Sequence, residues 1–200
     1  MNPPQTAAIY DKIAQHWDSP SFDHTNGLAQ HERAMAFVTA FGSALDVGCG
    51  SSGRIVSMLL QKRFRVQALD LSAEMLRRAR KHHPDVTFHH ADICTWEFKE
   101  AFDFITAWDS IWHIPLEHQL GVVRKLCRGL SGKGVLIFSS GGVYEPDEVT
   151  GSCFGQPLYH AAPGIPALLN AIEESGCHCR HLEFDAGPTD KHVYFIAQRD

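Results

Sequence analysis

The chain has no surplus of positive charge: 18 lysines and arginines stand against 23 aspartates and glutamates, a formal net charge of −5. A general binder of nucleic acid or of anionic membrane carries the opposite balance, so neither is expected as a partner. No apolar run approaches the roughly 20 residues that span a bilayer. The opening MNPPQTAAIYDK has neither the basic flank nor the apolar stretch of a signal peptide. Among the six cysteines there is no C-x-x-C pair, which removes the common zinc and dithiol motifs. A reduced, cytoplasmic protein is the expectation, with cysteines acting as small hydrophobes. No internal repeat or linker breaks the text before residue 142. With 44% hydrophobic and 20% charged residues, 200 residues fit one domain (1–200) around one core.

What is present is organised around LDVGCGSSGR, Leu45 to Arg54. Ala44, Leu45 and Val47 form the end of a buried strand, Gly48 and Gly50 a tight turn, and the residues after Gly53 a helix with apolar spacing. Glycines let the backbone approach a ligand, and the free N–H groups of a first helical turn favour an anion. Taken alone, Gly48-x-Gly50-x-x-Gly53 also satisfies a dinucleotide pattern, so the turn leaves a nicotinamide cofactor and S-adenosylmethionine both open. RVQALDL (Arg65 to Leu71) reads as a second strand ending in Asp70, a carboxylate about 20 residues past the turn and suited to ribose hydroxyls. VTFHHAD gives a third strand ending in Asp92, FDFITAW a fourth ending in Trp108, and GVLIFSSGG a fifth. Strands alternating with helices specify an α/β, doubly wound, mostly parallel sheet with ligands at the strands' carboxyl ends.

With Asp46 included, LDVGCGSSGR resembles the first motif of the class I S-adenosylmethionine-dependent methyltransferases, departing at Ser52, where many members have glycine. The run Asp109-Ser110-Ile111-Trp112-His113-Ile114-Pro115 is similar to the segment that follows the fourth strand in that family. The resemblance covers about Tyr10 to Ser140. It implies a seven-stranded Rossmann-like sheet with an antiparallel C-terminal strand, here from the pair CHCRHLEFD and HVYFIAQR. It implies S-adenosylmethionine held by Asp46, Gly48, Cys49 and Gly50, by Asp70, Leu71 and Met75, and by Asp92 and the Ile93 backbone. An N-terminal lid, about residues 6–41, would add Tyr10 and Trp17, and Trp108 would face the sulfonium. The product would be S-adenosylhomocysteine, and the acceptor a small molecule, with specificity written in an insertion at about 142–164 that carries Tyr159 and His160.

His113 is the candidate general base, with Asp109 beside it, because an imidazole suits proton removal near neutrality; a buried histidine that holds the turn is the competing role. Arg33 could meet the cofactor's carboxylate or simply form a surface ion pair. His82, His83, His89 and His90, and separately Cys177, Cys179 and His181, have metal-ligand chemistry but lack a shared site, so no metal is expected. A nicotinamide-dependent oxidoreductase and a non-catalytic S-adenosylmethionine-binding protein stay open as alternatives. The first leaves Asp46, Asp92 and the Trp108–Pro115 segment unexplained.

Overall fold

The first helix begins before the sequence suggests. Two prolines mark residues 1–5 as loose with Thr6 as cap, yet in the computed structural model, which describes residues 1–187 and 191–200, helix α1 runs Pro3–Ile13. Asn2 caps it: its side-chain oxygen accepts from the Gln5 N–H at 3.0 Å, and the Gln5 side chain accepts from the Asn2 N–H at 3.0 Å. Prolines belong at that first turn, where their missing N–H would have had no helical partner. A 3₁₀ turn, Ala14–Asp18, carries Trp17, and α2 runs Leu28–Met35.

From there the chain alternates: β1 (Ser43–Val47), α3 (Arg54–Gln61), β2 (Arg65–Asp70), α4 (Ala73–His82), β3 (Thr87–His90) and β4 (Phe102–Ala107). A 3₁₀ turn (Ile111–His113), α5 (Leu116–Arg128) and β5 (Leu130–Gly141) follow. The insertion folds as a separate antiparallel hairpin of β6 (Asp147–Cys153) and β7 (Gln156–Ala162), and α6 (Ile165–Glu173), β8 (Cys177–Phe184) and β9 (His192–Arg199) close the fold. The main sheet has seven strands in the order β3-β2-β1-β4-β5-β9-β8. Its five strands β1 to β5 pair in parallel, and β9 enters antiparallel between β5 and β8. This is the mostly parallel, doubly wound sheet that the alternation specifies.

Both faces of the sheet are covered, so its central strands are apolar on both sides. Phe102, Ile105, Leu136 and Phe195 pack against α5 and α6 on one face, and Phe104, Val135, Ile137 and Tyr194 pack toward α2 and α3 on the other. A third, smaller cluster joins Ile9 and Ile13 of α1 to Leu158 of β7. The strand order reverses between β2-β1 and β1-β4, and it is over this crevice, at the carboxyl ends, that a ligand of such a sheet sits.

Candidate active site

The glycine turn is strained where the sequence puts glycine and relaxed where it does not. Gly48, Gly50 and Gly53 have φ of 72°, 61° and 64°, whereas Ser52 is not among the residues with positive φ, so a side chain there costs nothing. A Cβ on Gly48 would lie 2.3 Å from the Ser110 Cβ, and one on Gly53 would lie 2.7 Å from the His83 ring. At Gly50 a Cβ would meet nothing within 4 Å, because this residue faces a cavity of about 330 Å³. That lies at the small end of ligand pockets, which run roughly 300–1,000 Å³.

The cavity gathers residues from widely separated stretches: Tyr10 and Trp17 from the N-terminal segment, Gly48, Cys49 and Gly50 from the turn, and Asp70, Leu71 and Met75 from the β2–α4 junction. Asp92 and Ile93 follow β3, and Trp108, Asp109 and His113 follow β4. Asp70 is held by backbone donors, accepting from the Gly50 N–H at 2.9 Å and the Ser72 N–H at 2.8 Å. Burial raises its pKa, and those N–H groups oppose the rise. The Asp92 carboxylate accepts from the Cys94 N–H at 2.9 Å, while the Ile93 N–H has no hydrogen-bond partner among the described residues. An unpaired backbone donor beside a cavity is a position prepared for an acceptor atom of a ligand.

Asp46 is set apart from this group. Alternation along β1 turns Val47 to the cavity and Asp46 to the other face, so Asp46 does not line it. Burial pushes its carboxyl up to about 7, against the pull of the Arg54 cation. Arg54 itself was not singled out from the sequence, yet it is the sole lysine or arginine lining the cavity among the described residues. Its Nε donates to the Asn26 carbonyl at 2.8 Å, and its guanidinium stands 5.2 Å from the centre of the Phe22 ring. A legible signal existed: a cation on the first residue of a helix opposes the macrodipole and calls for an anionic partner. Arg33 is elsewhere, in an ion pair with Glu183.

His113 has a fixed tautomer. Trp112 Nε1–H, which can only donate, reaches His113 Nε2 at 2.9 Å, and Nδ1 lies 2.8 Å from the Tyr159 carbonyl, which can only accept. The proton is therefore on Nδ1, and the Tyr10 hydroxyl, 2.7 Å away, also donates to Nε2. Burial lowers the ring's pKa to about 3. A ring whose lone pair already receives two donors is a tie between the lid, the turn and the hairpin, which runs against its expected role as general base. Asp109 lies just after β4, with φ of 51°. Its carboxylate accepts from Asn26 Nδ2 and His192 Nε2, each at 3.0 Å, and from Ser139 Oγ at 3.2 Å. Burial acts to raise its pKa, but these partners hold it below the ordinary value.

The histidine and cysteine groups stay apart. His83 meets Ser57, His89 meets Gln67 and His90 meets the Leu71 carbonyl, while Cys177 is buried and Cys179 exposed on a strand whose register shifts after Cys179. Among the described residues no three metal-ligating side chains cluster.

Two roof elements close over the cavity. At the hairpin tip Phe154 and Gly155 have φ of 48° and 75°, and the Phe154 ring stacks on His16 with centroids 3.8 Å apart. Beside the first cavity is a second of about 730 Å³, lined by residues that include Asp23, Asp147, Glu148, Asp185 and His192. The two share Asn26, Asp109, Trp112 and His160.

A glycine turn at the switch point of a 3-2-1-4-5 sheet and two acids beyond adjacent strands define a Rossmann-like, doubly wound architecture. A family profile described as a methyltransferase domain matches residues 44–134. It is 35% identical over 161 residues to a trans-aconitate 2-methyltransferase of Rhizobium etli, covering 78% of this chain and 56% of that protein. It is 28% identical over 141 residues to a carboxy-S-adenosyl-L-methionine synthase of Sulfurimonas denitrificans, covering 68% and 59%. The chain spans about half the length of the curated relatives it matches. An S-adenosylmethionine-dependent methyltransferase structure from Clostridium acetobutylicum superposes with a TM-score of 0.74 at 16% identity, covering 96% of this chain and 99% of that one.

Proposed function

We propose that this chain transfers the methyl group of S-adenosylmethionine to a small-molecule acceptor. The observation that carries the proposal is the convergence of Asp70, Asp92 and the open face of Gly50 on one cavity beside the unpaired Ile93 N–H. These groups fit an adenosine. Asp70 keeps lone pairs for two ribose hydroxyls, since each of its oxygens accepts one of the backbone N–H bonds described above. Asp92 and the Ile93 N–H offer an acceptor and a donor to the adenine edge. Met75 and Ile93, both buried, give it apolar walls. Arg54 supplies the cation for a carboxylate.

When bound, S-adenosylmethionine supplies a methyl carbon already activated by its positive sulfur. What the chain contributes is alignment and exclusion of water, and orientation alone can lower a barrier by roughly 7–11 kcal/mol in favourable cases. Trp108 and Trp112 present aromatic faces that favour a cationic centre, and α1 with the hairpin covers the site. The acceptor then sits in the second cavity, entering past Asn26, Asp109, Trp112 and His160. The dinucleotide alternative would leave Asp92 and the Trp108–His113 segment lining the cavity without a task. The net charge and a covered site argue for small molecules over nucleic acid.

Calorimetry with S-adenosylmethionine, S-adenosylhomocysteine and NAD tests the cofactor. Binding of the first two is expected, and binding of NAD alone overturns the reading. Transfer of labelled methyl into a metabolite extract tests turnover. Tight binding with persistent absence of transfer would favour a non-catalytic binder.

A further inference from the structure

Of the four residues that separate the two cavities, three have their polar groups committed. Asn26 donates to Asp109 and accepts from Trp108, and the Trp112 N–H is spent on His113. Asp109 accepts from three donors, and its depressed pKa makes it a weak base. The fourth, His160 on β7, is half-buried, with its ring 4.6 Å from His113 and 6.0 Å from Trp112 between centroids. Burial lowers its pKa, and the backbone at Leu158 opposes that fall. Its ring makes no side-chain hydrogen bond among the described residues. Its ring therefore lies at the boundary between the two cavities.

The geometry points to His160, not His113, as the group that takes the proton from the acceptor, and so to an acceptor whose nucleophilic atom is an N–H or O–H, not a carboxylate. This rests on the methyltransferase reading above. In the step, the acceptor's nitrogen or oxygen bonds the methyl carbon as the carbon–sulfur bond breaks and its electron pair stays on sulfur. The acceptor's proton goes to the unprotonated ring nitrogen of the neutral His160 imidazole and from there to solvent. A carboxylate acceptor is already ionised near neutrality and would need no base. It would also meet the carboxylates of Asp147, Glu148 and Asp185 in the second cavity, whose cationic lining residues, Lys191 and His192, lie against Asp147 and against Asp109 and Asp185. Burial, with His113 packed against the ring, keeps His160 below its ordinary pKa and hence neutral at pH 7. Other titratable groups that line a cavity with it include Tyr10 on α1, Asp109 after β4, Glu148 on β6 and His192 on β9.

The test pairs chemical mapping with turnover. Diethyl pyrocarbonate acylates an unprotonated imidazole nitrogen that solvent can reach, so peptide mass spectrometry should find His160 modified and His113 spared. The rate of modification should rise with a midpoint below about pH 6.5. An inert His160 beside a reactive His113 overturns the inference whether or not any acceptor is found. In the full chain, His160→Asn should bind S-adenosylhomocysteine within about twofold of the unsubstituted protein by calorimetry. Labelled methyl transfer into a metabolite extract should fall about 100-fold or more, and added imidazole should restore part of it. The labelled product should be retained on a cation exchanger or be uncharged. Undiminished transfer by His160→Asn, or label found chiefly in methyl esters of carboxylates, overturns the inference while leaving the cofactor assignment intact. Failure of the unsubstituted protein to bind S-adenosylhomocysteine would instead overturn the cofactor reading on which it rests.

Discussion

The Tyr10 hydroxyl donates to His113 Nε2 at 2.7 Å, joining residues 103 positions apart in the sequence. The bond attaches the first helix to the turn after β4 and so ties the roof to the carboxyl edge of the sheet. Tyr10→Phe keeps the ring and removes the donor. The expected loss of stability is about 1 kcal/mol, with the α1 segment cut earlier by protease and S-adenosylmethionine binding weakened only modestly. Denaturant titration and limited proteolysis check this, and an unchanged cleavage pattern would show that the bond does not hold the roof.

Asp70→Asn should weaken S-adenosylmethionine binding more than it weakens the fold. A charge-assisted hydrogen bond contributes roughly 1.5–3 kcal/mol, which corresponds to about a 10- to 150-fold rise in Kd. Calorimetry on folded variant reads it directly. Equal affinity would remove Asp70 from the site.

Two glycines of one turn should respond differently. Gly50→Ala sends its methyl into the cavity, where no atom lies within 4 Å, so the chain should fold with only the backbone strain of a positive φ, roughly 1–2 kcal/mol. Cofactor affinity should fall steeply. Gly53→Ala pays the same strain and also drives a carbon to within 2.7 Å of the His83 ring, so its loss should appear in the melting temperature. If the two variants show the same balance of stability and affinity, the open face of Gly50 is not where the ligand lies.

His192 should make stability depend on pH on the alkaline side. Burial alone would lower its pKa, but hydrogen bonds and charge from Asp109 and Asp185 outweigh that and raise it to about 9. A folded-state pKa above the unfolded value near 6.5 means that the stabilisation is complete below about pH 6.5. It is lost as pH rises through about 9. His192→Gln should flatten the stability profile between these limits, measured by denaturation at stepped pH. An unaltered slope would show that the imidazolium contributes nothing there.

The strands and their terminal acids were legible because burial on both faces writes continuous apolar runs, and because a parallel sheet puts its ligands at one edge. Asp70 and Asp92 could be found that way. Asp46 could not be judged, since one step along a strand reverses the side and the motif does not say which side faces the ligand. Arg54 was written in the text but stood inside a motif valued for its glycines. The role of His113 was hidden for another reason. What it does depends on Tyr10, Trp112 and the Tyr159 carbonyl, two of which come from distant segments, and no local pattern states that its lone pair is already taken.

The small cluster of Ile9, Ile13 and Leu158 makes the covering of the site a unit with a core of its own, separate from the two that pack on the sheet. Helix and hairpin are thereby joined to each other, and polar bonds fasten the pair to the rest: Tyr10 to His113, Asp11 to Ser72, and the Ala161 carbonyl to Gln119.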